Sequence, residues 1–148
     1  MARSWCYIYE KPVVYIRFRA VVIDNLIKWH YAFDFRQETL FLAVYILDRY
    51  LSAKMYPCSN IKMLWVTCLF VACKFEEVKI VRLDQFLRYC EGDITKSAVF
   101  ELEHNVLEAI EWKLTLICPY DFLKRIFYIN LTDLENCGLT RLAGMLPA

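Results

Sequence analysis

The stretch Ile61–Glu76, IKMLWVTCLFVACKFE, is apolar on nearly every side of a helix. At 3.6 residues per turn, Leu64, Trp65, Cys68, Leu69, Phe70, Val71, Ala72 and Phe75 leave almost no polar face, and Ser59 or Asn60 stands where an N-cap is wanted. A helix without a solvent side belongs at the centre of a bundle. The nearly apolar run, residues 63–73, is interrupted by Thr67 and stops at Lys74, well short of the roughly 20 residues a bilayer-spanning helix needs. It is therefore expected to be a core helix of a soluble protein.

Amphipathic segments lie on both sides of it. Over residues 18–33, Val22, Leu26, Trp29 and Phe33 recur at helical spacing, with Asn25 and Lys28 opposite them and Phe18 and Val21 on a mixed face. A second helix over residues 38–52 carries Leu40, Val44, Leu47 and Leu51, with Glu38 at the positive end of its dipole. A short helix over 82–90 stops before Gly92, and another over 96–110 shows Val99, Leu102, Val106 and Ile110 on one face. Pro119 suits the first turn of a sixth helix, 119–129, whose apolar side is Phe122, Ile126 and Ile129. The tail after Asn130 has no strong pattern, and the Val/Ile-rich stretch at 13–16 is too short and isolated to build a sheet. The expected fold is all-α: five helices around a central buried third helix, plus one C-terminal helix.

Composition narrows the function classes. Of 148 residues, 59% are hydrophobic and 24% charged, which is apolar-rich for an ordinary domain; the surplus either faces a partner or packs a dense core. Eighteen basic and seventeen acidic side chains give a net charge of +1, with no long run of one sign. That excludes a nucleic-acid or membrane-surface binder acting through bulk charge. Only three glycines occur, and none precedes Gly92, so phosphate-loop signatures are absent. An odd count of seven cysteines points to a reducing, intracellular compartment, with nucleus and cytoplasm both open.

Candidate chemistry is sparse. His30, His104 and the scattered cysteines form no Cys-x-x-Cys or His-x-x-x-His pair, so neither a metal nor a cofactor is expected. Cys68 and Cys73 are five apart and turn to different sides of a helix, as small core residues would. No local feature activates a nucleophile, and no catalytic residue is assigned. The informative segment is Ala72-Cys73-Lys74-Phe75-Glu76-Glu77. Lys74 suits the negative end of the helix dipole, whereas Glu76 and Glu77 oppose it. Two readings are open: a fraying, solvated terminus, or a lysine held at the edge of an apolar surface and aimed at another protein. Arg19 and Asp48 occupy corresponding places in neighbouring helices and are expected to meet as a partly buried strut.

With these residues on the page, the chain resembles the cyclins over residues 18–122. Arg19-Ala20 with Asp24 and Leu26 is similar to the family's M-R-A-I-L-V-D-W-L opening. Glu38-Thr39-Leu40-Phe41-Leu42-Ala43-Val44 and Leu47-Asp48-Arg49-Tyr50-Leu51-Ser52 resemble its second-helix signature. Ala72 to Glu77 resembles A-S-K-F-E-E, and Leu102-Glu103-His104 with Leu107 its fifth helix. The resemblance implies a regulatory subunit, not an enzyme, that binds the C helix of a cyclin-dependent protein kinase and activates it in cell-cycle control. An adaptor of the same fold that does not activate a kinase is the alternative.

The roles it implies are specific. Lys74 and Glu103 would be polar anchors for the kinase helix. Val71, Ala72, Phe75, Leu107, Trp112 and Leu114 would form an apolar seat with His104 beside them, and Arg19 with Asp48 would be the structural ion pair. The sequence also departs from the family. At the positions matching its Arg-x-Leu docking groove stand Phe18, Val22 and Asn25, with Lys28 at the usual Glu and Lys62 at the usual Gln. The groove is expected to be degenerate. The implied organisation is a short segment at 1–17, a cyclin box at 18–118, and a helix and tail at 119–148 that represent a truncated second repeat, whose missing remainder would leave a face for self-association. The signatures mix a mitotic-like Lys-Phe-Glu-Glu with a G1-like Trp112-Lys113-Leu114.

Overall fold

The computed structural model describes residues 13–54, 56–79, 81–90, 94–115 and 119–136. The expected N-terminal segment up to residue 12, the tail from residue 137, and Gly92 lie outside the described residues. Six α-helices follow in order: α1 Val13–Ala32, α2 Gln37–Ala53, α3 Ile61–Glu76, α4 Leu83–Tyr89, α5 Lys96–Ala109 and α6 Pro119–Asn136, with a 3-10 turn Cys58–Asn60 before α3. No strand occurs among the described residues. The all-α expectation holds, and the chain divides into two compact units, one carrying α1 to α5 and the other α6.

In the first unit α3 touches each of α1, α2, α4 and α5. Every residue from Leu64 to Cys73 is buried, as its apolar sequence requires. Val22 and Leu26 of α1, Leu47 and Leu51 of α2, and Val99, Leu102, Val106 and Ile110 at α5 pack onto it. Each such large side chain contributes about 1.5–3 kcal/mol on leaving water. Phe86 of α4 is fully buried, with ring centroids 5.4 Å from Trp29, 5.3 Å from Phe33, 6.0 Å from Phe35 and 5.7 Å from Phe70. This aromatic cluster ties the seven-residue α4 to the end of α1.

Two helix limits differ from expectation. Helix α1 begins at Val13, ahead of the expected start at residue 18. Helix α6 continues past Ile129 to Asn136. Asn60 sits at the N-cap of α3 but makes no side-chain capping bond. Thr95, which the sequence reading passed over, caps α5 by accepting from the Ala98 N–H at 3.3 Å.

Glu77, just past the end of α3, is tied to the start of α2. Its Oε1 accepts from the Arg36 N–H at 2.7 Å and the Thr39 hydroxyl at 2.5 Å. The carboxylate that opposes the dipole of α3 therefore sits at the positive end of α2, where it is favourable. The Arg36 guanidinium in turn donates to the Glu76 carbonyl at 3.3 Å and pairs with Glu38 at 3.2 Å. Glu77→Ala is expected to cost about 1–3 kcal/mol, since it removes the acceptor of two bonds, one of them to the buried Thr39 hydroxyl. Urea unfolding checks this, and an unchanged midpoint would contradict it.

Candidate functional site

The C-terminal turn of α3 and the outward side of α5 meet at an ion pair. Lys74 Nζ bonds Glu103 Oε1 across the two helices, and it lies 4.7 Å from the centroid of the Phe70 ring. Phe70 is buried and forms a floor for the lysine stem, so the ammonium is held at the rim of an apolar surface. Lys74 therefore does not sit on a freely fraying terminus: its stem lies against Phe70 and its ammonium is tied to Glu103 of the same chain. The Lys74 and Glu103 side chains keep 36% and 12% of their exposure. An ammonium has three donors and a carboxylate two oxygens, so the pair retains polar capacity toward solvent.

Phe75 follows Lys74 directly in the chain, and Trp112 follows the end of α5. Phe75 is half exposed and Trp112 is 61% exposed. The Trp112 ring centroid is 6.4 Å from that of His104, whose Nε2 is 3.3 Å from Glu108 Oε1. Trp112 is presented by an unusual turn. Glu111 and Trp112 have φ of 55° and 58°, the left-handed region that side chains other than glycine disfavour by roughly 1–2 kcal/mol each. Buried Ile110 anchors the turn from inside, and the Trp112 N–H donates to the Leu107 carbonyl at 2.9 Å. The hydrogen-bonded Lys113 ammonium holds the Glu111 carboxyl below its usual range, with Arg49 adding to the effect.

Three residues assigned to the seat are placed elsewhere. Val71, Ala72 and Leu107 are buried in the core, because their positions on α3 and α5 turn toward neighbouring helices; they support the surface from beneath. Leu114 is partly buried against the same core. The exposed apolar part is thus Phe75 and Trp112.

The residues assigned to the helix-one groove do not share one open face. Val22 is 1% exposed and belongs to the core, whereas its neighbour Val21 is 57% exposed. Phe18, Asn25 and Lys62 are half buried and Lys28 is exposed. The Asn25 amide donates to its own helix, at the Val21 carbonyl, 2.9 Å away. Arg19 and Asp48 meet in a two-bond pair, Nε to Oδ1 at 2.8 Å and Nη2 to Oδ2 at 2.9 Å.

Among the described residues Cys68, Cys73 and Cys90 are free and buried, as packing groups are. Burial pushes the thiols of Cys68, Cys73 and Cys90 up from their ordinary range. Among the described residues no group of three His, Cys, Asp or Glu side chains is arranged to hold a metal ion. No described helix is long and apolar enough to cross a membrane.

Comparison with known proteins gives this geometry its family. The family model for "Cyclin, N-terminal domain" matches residues 2–115. S-phase entry cyclin-6 of Saccharomyces cerevisiae is 39% identical over 108 residues, 73% of this chain and 28% of that protein. G2/mitotic-specific cyclin-2 of Antirrhinum majus is 32% identical over 132 residues, 89% of this chain and 30% of the relative. The chain thus spans less than a third of the length of either. Among solved structures, a viral cyclin from herpesvirus saimiri superposes with a TM-score of 0.70 at 22% identity, over 75% of this chain and 48% of the other, which shows a shared fold. The site at the end of α3 and along α5 lies inside the matched domain, and the chain belongs to the cyclin family through that N-terminal domain.

Proposed function

We propose that this chain is a regulatory subunit, without catalytic chemistry of its own, that binds and activates a cyclin-dependent serine/threonine protein kinase in cell-cycle control. The observation that carries the reading is the Lys74–Glu103 pair, fixed across α3 and α5, with exposed Phe75 following Lys74 in the chain and exposed Trp112 against His104, the residue after Glu103. Two oriented charges beside aromatic anchors make an interaction surface, with specificity from the charges and affinity from the rings. The relatives named for S phase and for G2 and mitosis support the cell-cycle setting.

The partner element is the kinase's regulatory C helix. Held inward on this surface, that helix would keep its glutamate paired with the catalytic-domain lysine and help the activation loop open. Activation then requires only that the chain prefer the active arrangement, and about 5.5 kcal/mol of preference moves a population from 1:99 to 99:1. We assign the box to residues 18–118 and α6 to the start of a second repeat. We place the protein inside the cell, in nucleus, cytoplasm or both.

The test is to mix the full chain with each of a panel of purified cyclin-dependent kinase catalytic subunits and measure complex formation and kinase activity. Lys74→Glu, which sets a second carboxylate beside Glu103, is expected to weaken the complex by about tenfold or more. No complex with any of these kinases would overturn the reading, and binding without activation would identify an adaptor.

A further inference from the structure

The turn between α1 and α2, the connection from α3 to α4, and α4 itself enclose a cavity of about 660 Å³. Lys74, Phe75, Glu103 and Trp112 do not line it, so it is separate from the candidate site. Its size falls among pockets that take a ligand, roughly 300–1,000 Å³. The floor is apolar and rigid. Phe35 is 6% exposed, and the partly buried Phe33 ring stacks on it with centroids 5.4 Å apart at 12°. Both rings also stack on Phe86 behind them, and partly buried Val81 completes the floor.

The polar groups around this floor divide into used and unused. Glu77 is committed to the Arg36 N–H and the Thr39 hydroxyl, and the Arg36 guanidinium to Glu38 and the Glu76 carbonyl. Asp34 and Lys79 also line the cavity, and neither forms an ion pair among the described residues. Gln85 accepts from the Arg82 N–H at 3.3 Å through its amide oxygen, which leaves the amide nitrogen to donate. The α1–α2 wall therefore offers an anion, and the α3–α4 side offers a cation and a neutral donor. These walls are open to water: Asp34 and Lys79 are exposed, and Val78 is 93% exposed. A site for a free small molecule buries about 70–90% of its ligand. An open, apolar-floored cavity with one unpaired charge of each sign instead suits a side chain carried in by a larger partner.

We propose that this cavity binds an extended peptide segment of a partner protein, in which a large apolar side chain enters over Phe33 and Phe35. A basic residue on one side of it meets Asp34, and an acidic residue on the other meets Lys79 and the Gln85 amide. The rings supply affinity, and the two charges select the sequence and reject segments of a single sign. The inference does not depend on kinase binding and adds a second, independent contact to the chain.

The test uses the full chain and fluorescent, end-capped peptides at roughly 50 mM salt, where exposed charges are least screened. The probes are Lys-Ser-Phe-Ser-Glu and its reverse, since charge does not fix the chain direction, the forms with lysine or glutamate at both ends, and the form with alanine for phenylalanine. The mixed-charge peptide, in one order or both, is expected to bind about tenfold tighter than either single-sign form and than the alanine form. Lys79→Glu should turn the preference to the peptide with lysine at both ends. Asp34→Asn should weaken the mixed-charge peptide about tenfold, and asparagine tolerates the φ of 53° at that position. Both side chains are exposed, and thermal melts would register any loss of fold. Trp112→Ala should bind the peptides unchanged, and a loss there would place them on the α3–α5 surface and overturn the proposal. No saturable binding by either mixed-charge peptide, or a preference that Lys79→Glu leaves as it was, would overturn it equally. An alanine form that binds as well as the phenylalanine form would remove the apolar insertion on which it stands.

Discussion

Asp48→Ala is expected to lower the stability of the folded chain by about 3–5 kcal/mol. Asp48 is 3% exposed and takes two parallel bonds from Arg19, whose side chain keeps 20% of its exposure. Removing the carboxylate leaves the guanidinium largely out of water, and arginine cannot shed its proton to escape. The loss is much larger than the net worth of the intact pair, which desolvation of both groups offsets. Replacing both partners, Arg19→Met with Asp48→Leu, is therefore expected to recover most of the stability, and the two results together identify the mechanism. Urea denaturation of the single and double variants measures it. A cost for Asp48→Ala below about 1 kcal/mol would mean that solvent screens the pair as it does at an exposed surface. The strut joins α1 to α2, and α2 packs along α3, so the pair also fixes the helix whose last turn carries Lys74.

How far the sequence reveals this molecule depends on how local each cause is. Helix α3 is legible because nearly every position from Leu64 to Cys73 is apolar, a property read one residue at a time, and its central place follows at once. The faces of α2 and α5 are legible for the same reason. The start of α1 is not: the helix begins at Val13, ahead of the expected start at residue 18. The family motif likewise does not say which side of the helix Val22, Val71, Ala72 and Leu107 occupy; burial places all four in the core.

Contacts between distant residues are hidden for a different reason. Lys74 and Glu103 are separated by 29 residues and Thr39 and Glu77 by 38, so no periodicity relates them. The resemblance names Lys74 and Glu103 as two anchors; only the fold makes them one paired unit. Glu77 opposes the dipole of α3 locally, and the start of a neighbouring helix, distant in sequence, supplies the compensation. The left-handed turn at Glu111 and Trp112 has no sequence signal, since neither residue is glycine or asparagine, and its strain is sustained by the burial of Ile110 and Leu107 on either side of the helix end.

Phe86→Ala is expected to cost about 3–5 kcal/mol, and to do so without touching the candidate interface. The ring sits within 6.0 Å of four other aromatic centroids, contributed by α1, the α1–α2 turn and α3. Truncation leaves a cavity those rings cannot close, because each is fixed by contacts of its own, such as the edge-on packing of Trp29 on Trp65 at 5.0 Å. The seven-residue α4 is too short to persist by itself. Amide exchange should therefore rise first across α4, before the helices that carry Lys74 and Glu103. Tyr89→Ala, on the same helix but 66% exposed, is the matched control and should cost far less. A loss in Phe86→Ala no larger than that of Tyr89→Ala would show that the cluster repacks. If instead Phe86→Ala folds at low temperature and still binds kinase with unchanged affinity, the aromatic core and the α3–α5 surface are energetically separable, and the loss of binding in Lys74→Glu can be read as chemistry at the interface.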